Sequence, residues 1–145
     1  SGKTEPGVSN TLVSGIIDIP VTILDFARAD IPDSLPGLSL QSLVMDGVAE
    51  LDREFVVSET MFAKGATNLG LTGRMVRTDR FKYCVYDLGE DREQLFNMDA
   101  DPGETMNLVG DSEHGAELNR HRRMLTDWAD QTQDRDFPHV PPSDG

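Results

Sequence analysis

The chain has 145 residues, 13 of them basic and 26 acidic, and its net charge of -13 opposes binding to nucleic-acid phosphates or anionic membrane surfaces. With 37% hydrophobic residues and no apolar run near the ~20 residues of a membrane span, it reads as one globular domain, or one and a half, without a membrane partner. The single cysteine, Cys84, excludes an intrachain disulfide and a Cys-rich zinc site, and the start Ser1-Gly2-Lys3, with neither Met nor a signal-peptide core, is consistent with a fragment.

Residues 1–15, rich in Ser, Gly and Thr, read as an extended lead-in. Asp18-Ile19-Pro20 predicts a helix start, with Asp18 as cap and Pro20 in the first turn. Val21 and Leu24 follow at helical spacing, Ile23 and Phe26 widen the stripe, and the helix should run to about Ala29. Residues 31–37 are loop, Ser39 to Met45 form a second short helical turn, and Asp46 to Asp52 connect the two halves of the chain.

From Glu54 the period becomes strand-like. Phe55 to Glu59 has the β-branched and aromatic content of a buried strand, and residues 63–70, with two Gly, read as a loop. Arg74 to Arg77 and Phe81 to Tyr86 flank Thr78-Asp79-Arg80 as an antiparallel hairpin. Because side chains alternate along a strand, Phe81, Tyr83 and Val85 share a packed face, with Arg80, Lys82 and Cys84 on a wetter one. Gln94 to Met98 is a short strand, and a final helix over about Glu113 to Thr132 presents Leu118, His121, Leu125 and Trp128 as a stripe that can cover the sheet. The Pro-rich tail from Phe137 cannot continue it. The expected fold is therefore α+β: a small antiparallel sheet of about four strands packed by a C-terminal helix, preceded by an N-terminal helical segment. Its parts are residues 1–52, 53–135 and an irregular tail over 136–145.

Few residues offer chemistry. Asp99, Asp101 and Glu104 crowd around Pro102-Gly103, but an EF-hand loop begun at Asp99 would put Pro102 at position 4, Gly at 5 and Gly110 where the bidentate Glu belongs at 12. The carboxylates would repel a phosphate, so the segment reads as a corner between strand and helix. His114, His121 and His139 match no zinc spacing, and His121 joins an apolar stripe. Cys84 lies mid-strand, with no helix N-terminus to lower its pKa, so an inert thiol is expected. Arg74, Arg77, Arg80 and Lys82 form the one dense basic cluster and are the candidates for an anion or substrate contact; salt bridges to carboxylates are the competing use. No nucleophile, base and electrophile assemble.

Several segments together resemble the C-terminal portion of the sulfatases of the alkaline-phosphatase-like superfamily. Val13 to Asp25 resembles that family's "vs-vDi-PTlld" helix, Pro36-Gly37-Leu38-Ser39-Leu40 its "G-SL" segment and Val57-Ser58-Glu59 its following strand. Arg74 to Thr78 with Lys82-Tyr83 resembles the "vRt--yKy" hairpin, and Glu93 to Leu108 the "eLydl--DPgEt-NL" ending. The resemblance implies a hydrolase of sulfuric esters, periplasmic or secreted. Its formylglycine nucleophile arises from Cys or Ser in a Cys/Ser-x-Pro-Ser-Arg motif, and its divalent cation, usually calcium, is held by Asp and Asn residues. Cys84 is followed by Val85-Tyr86, and Ser34 and Pro36 lack the Ser-Arg, so neither supplies that motif. The catalytic residues and the metal site are expected upstream of Ser1, with no catalytic residue, metal site or cofactor in this chain. The expected partner is that N-terminal catalytic domain, with self-association through residues 16–29 when it is missing. The competing readings are a free-standing acidic interaction module and the tail of a related phosphonate or phosphate ester hydrolase.

Overall fold

The computed structural model describes residues 4, 7–45, 51–64, 67–138, 140 and 141. The expected connection over 46–52 and His139 fall largely or wholly outside them. Two compact units divide at Val56: Ser1–Val56 and Val57–Gly145. No helix among the described residues is long and apolar enough to cross a membrane.

The first unit is built on α1, Gly15–Phe26, followed by the short α2, Gln41–Met45. The cap differs from expectation. Ser14 holds the N-cap position, and Asp18 lies inside the first turn, fully buried, where its Oδ2 accepts the Ser14 N–H at 2.6 Å. Pro20 is consequently inside the helix. The helix ends earlier than Ala29 because Arg28 turns left-handed, at φ 54°, while its N–H bonds the Asp25 carbonyl and the Ala29 N–H the Leu24 carbonyl. That paired closure is a Schellman end with Arg in place of the usual Gly.

Residues 37–40 run along α1. The Leu38 N–H donates to Asp18 Oδ1 at 2.9 Å, the Leu40 N–H to Thr22 Oγ1 at 3.0 Å, and the Ser39 hydroxyl to Asp25. Gly37 permits this closeness, since a Cβ there would stand 2.1 Å from the Ile17 carbonyl oxygen. Val21 packs beneath and is buried, whereas Ile16, Ile19, Ile23 and Phe26 form an exposed stripe at i, i+3, i+7 and i+10. The apolar face of α1 thus points outward.

The second unit is a four-stranded antiparallel meander in the order β1 (Val56–Lys64), β2 (Thr67–Arg77), β3 (Phe81–Tyr86) and β4 (Glu93–Asn97), with α3 over Gly115–Thr132 after a 3-10 turn. Residues 63–70 do not form the expected loop: apart from 65 and 66, which lie outside the described residues, they continue β1 and begin β2. Pairing with neighbouring strands overrides the weak strand preference of small residues there.

Val76, Tyr83, Val85 and Leu95 are buried with Leu118, Leu125 and Ala129 of α3. A fully buried Val or Leu contributes about 1.5–3 kcal/mol, so this layer is the main stabilising contact of the unit. Trp128, expected in the stripe, is half-buried, and Ala129 takes the inner place because eleven residues from Leu118 close three helical turns. The opposite face is less wet than alternation implied: Cys84 and Phe96 are both buried there.

The outer edge of β4 is closed by a side chain. Asn107 Oδ1 accepts the Leu95 N–H at 3.0 Å, its amide nitrogen donates to the Glu93 carbonyl at 3.0 Å, and the Leu108 N–H continues to the Leu95 carbonyl at 2.8 Å. The Asn107 amide therefore stands in for a peptide group of a fifth strand.

Candidate functional site

The four basic residues close in sequence are separated by the pleat. Arg74 is buried on the α3 side, where Nε and Nη2 grip Asp134 at 2.6 and 2.9 Å, Nη1 bonds its neighbour's carbonyl at Gly73, and Glu59 lies 3.6 Å away. A left-handed Gln133, at φ 55°, ends α3 and leads directly into Asp134. The Arg74 hydrogen bonds hold the Asp134 carboxyl below the usual carboxylate range. Arg80 occupies the turn, exposed, over the Phe81 ring at 5.3 Å and 3.9 Å from Asp99.

Arg77 and Lys82 face each other across β2 and β3 on the side away from α3. Lys82 is neutralised by Glu104 at 2.6 Å. Arg77 Nη1 is buried and has no hydrogen-bond partner among the described residues. Of the four candidates, then, Arg74, Arg80 and Lys82 meet carboxylates among the described residues.

The acidic corner disperses its carboxylates. Asp99 leans towards Arg80 and Glu104, itself left-handed at φ 56°, reaches Lys82. Asp101 Oδ2 accepts the Thr105 and Met106 N–H groups at 2.7 and 2.8 Å, and Oδ1 the Thr105 hydroxyl at 3.0 Å. The Met106 bond leads in holding the Asp101 carboxyl below its ordinary range. Among the described residues no three His, Cys, Asp or Glu side chains converge on a point that could hold a metal ion.

Two ion clusters carried no local sequence signal. Between β4 and α3, Arg122 donates through Nε and Nη2 to Glu93 at 2.9 and 2.7 Å, and the Tyr83 hydroxyl adds a bond at 2.5 Å. Burial opposes ionisation of Glu93, but the Arg122 and Tyr83 hydrogen bonds outweigh it and leave its pKa lowered. Burial, then Glu93 itself, pushes the Tyr83 hydroxyl far up, so it serves as a fixed donor. In the first unit, Arg53 forks onto Asp18 at 2.5 and 2.7 Å; burial of Asp18 is again outweighed, here by Arg53 and the Leu38 and Ser14 N–H groups. Both arrangements have the bidentate geometry of strong, shape-specific pairs.

Neither His121 nor Cys84 is poised for proton transfer or attack, and His114 bonds Asp111 at 3.0 Å. His121 is fully buried between Thr78 Oγ1 at 3.2 Å and the Glu117 carbonyl at 2.9 Å, edge-on to Phe81. Burial pushes the Cys84 thiol up, which disfavours the reactive thiolate. A shallow acidic depression lined by Glu90, Asp91, Arg92, Glu93 and Asn107 lies at the β4 edge.

Comparison with known proteins supplies what the geometry does not. A family model described as N-sulphoglucosamine sulphohydrolase, C-terminal, matches residues 2–131. A Delta 4,5-hexuronate-2-O-sulfatase of Bacteroides thetaiotaomicron is 32% identical over 127 residues, which are 88% of this chain and 26% of that protein. The solved structure of a 2-O GAG sulfatase superposes with a TM-score of 0.80 at 28% identity, covering 98% of this chain and 33% of the other. A phosphonate monoester hydrolase from Silicibacter pomeroyi superposes at 0.64 with 26% identity, over 82% of this chain and 25% of its own. The chain spans about a fifth to a quarter of the length of the curated relatives it matches.

Proposed function

The chain belongs to the sulfatase family, as the C-terminal portion that the family model describes, and from this premise we propose that it is the closing subdomain of a sulfuric-ester hydrolase. In that reading it completes the fold of a longer polypeptide and forms one wall of the substrate cleft. The nucleophile and metal site belong to the upstream part. The observation that carries the reading is the match of nearly the whole chain to a family defined as C-terminal, at about a quarter of a relative's length.

The outward stripe of α1 supports it. Ile16 is 89% exposed and Ile23 61%, and contiguous apolar surface of this kind marks an interaction site. Its occupant in the whole enzyme is the catalytic domain; in the isolated chain, a second copy of residues 16–29 takes its place. Formylglycine and calcium would come with the upstream part: Cys84, buried mid-strand before Val85, does not fit the nucleophile, and the dispersed carboxylates of the corner do not fit the metal.

The test compares pure chain with the complete polypeptide on 4-nitrophenyl sulfate in calcium. The longer protein turns over the ester and the 145-residue chain does not. Turnover by the chain alone, above a denatured control, defeats the reading. The likeness to a phosphonate monoester hydrolase favours a second possibility, and a phosphonate monoester run in parallel separates them: preference for it by the complete polypeptide reassigns the parent enzyme.

A further inference from the structure

The family match ends at residue 131, yet the chain just beyond it is tied down repeatedly. Gln133 turns left-handed and closes α3, and its N–H and that of Asp134 return to the carbonyls of Asp130 and Ala129. Asp134 then reaches back to β2, where Arg74 holds its two oxygens at 2.6 and 2.9 Å, with the side chains only 4% and 9% exposed. Two residues on, the Asp136 N–H donates to Asp134 Oδ1 at 3.1 Å. The Asp136 carbonyl, at 3.1 Å, shares the Thr72 hydroxyl proton with Asp87 Oδ2, at 2.6 Å. Pro138 is fully buried, and Pro141 lines the depression at the β4 edge beside Arg92, Asn107 and Gly110.

The register puts these contacts at one end of the sheet, since Gly73 pairs with Tyr86 and Val85 with Glu93. Crossing from β2 to the segment that borders β4 takes three strand spacings, about 14 Å, and the residues from Asp134 to Pro141 reach about 23 Å when extended. Proline suits such a run: it has no N–H for burial to leave unpaired, and its fixed φ reduces the freedom lost on ordering. Chain ends fray unless something holds them. Here the holding group is a charge set among apolar neighbours, because Arg74 shares the α3 side of β2 with Val76. Without Asp134 the guanidinium would be left with the Gly73 carbonyl and with Glu59, which is 3.6 Å away and itself exposed. A buried charge that loses its partner is strongly unfavourable. We propose that residues 133–141 form a strap across the end of the sheet, with Arg74 and Asp134 as its catch, so that the folded unit extends past the family match to Pro141. An apolar side chain at position 74 would pack under α3 as well; the charge specifies where the tail docks.

Arg135, exposed within the strap, offers trypsin a cut that reads the attachment directly. The 145-residue chain is digested as native protein, as Arg74→Met, as Asp134→Ala and as the double variant, and cleavage after Arg135 is followed by mass spectrometry against cleavage after the exposed Arg28. The strap predicts cleavage after Arg135 roughly tenfold or more faster in all three variants, the scale of one lost hydrogen bond to a charged group, with the Arg28 cut unchanged. Arg74→Met should melt near the native Tm, Asp134→Ala should melt lower because it strands the guanidinium, and the double variant should recover the loss. Equal cleavage after Arg135 in native and Arg74→Met chains would overturn the catch, even if Asp134→Ala does not fold. An unaltered Tm in Asp134→Ala, or a double variant that melts no higher than Asp134→Ala, would also overturn it.

Discussion

Glu93→Gln removes one negative charge from the cluster between β4 and α3 and changes little in shape. The native carboxylate accepts two bonds from Arg122 at 2.9 and 2.7 Å and one from Tyr83 at 2.5 Å, with 11% of each charged side chain exposed. The amide keeps one acceptor oxygen, so at least one Arg122 bond is lost and the guanidinium loses its counter-ion. Hydrogen bonds to charged groups contribute about 1.5–3 kcal/mol, and breaking a buried pair from one side costs about 3–5 kcal/mol. The partial exposure of both side chains screens the upper end, so the variant should be less stable by about 2–4 kcal/mol at neutral pH. The pH dependence has a definite sign. Glu93 has a lowered pKa in the fold, against about 4.3 when unfolded. Its contribution is therefore present above the unfolded value and lost as pH falls through the folded one. The variant has no such titration, so the gap between the two proteins should narrow with acid. Urea unfolding at neutral pH and near pH ~3 measures both gaps. A neutral-pH gap below about 0.5 kcal/mol, or one that stays constant into acid, would refute the reasoning.

Two further substitutions address the other local arrangements. Gly37→Ala would place a methyl 2.1 Å from the Ile17 carbonyl oxygen, so amide-exchange protection at Leu38 and Leu40 should collapse; unchanged protection would mean that the loop accommodates the methyl without lifting from α1. Calcium should leave the Tm of the chain unchanged, because the Asp101 oxygens are already taken by Thr105 and Met106; a calcium-dependent rise that Asp101→Asn abolishes would reverse that assignment.

The strands and α3 were legible wherever the pattern was strong and local. Phe81, Tyr83 and Val85 alternate onto the buried face, and Leu118, His121 and Leu125 recur at helical spacing. What was hidden depends on partners distant in sequence. Asp18 looks like a cap from its neighbours, but its role is set by Arg53, 35 residues on, and Arg74 looks like part of a basic patch until Asp134, 60 residues on, meets it. Residues 67–70 were misread for a related reason: their conformation comes from pairing and not from their own preferences. The bonds of the corner, from Asp101 to Thr105 and Met106, close within five residues, which is why its turn chemistry shows in the local sequence.

The Asn107 side chain has a consequence for how molecules of this protein can join. An antiparallel sheet has two borders, here β1 and β4, and each bare border is a template for another chain. With Asn107 and Leu108 occupying the β4 border, that border offers no free row of backbone groups to a further strand. Asn107→Ala would uncover the Leu95 N–H and the Glu93 carbonyl and so reopen part of that template; light scattering should then show the variant associating beyond the native protein, and an unchanged size distribution would refute this.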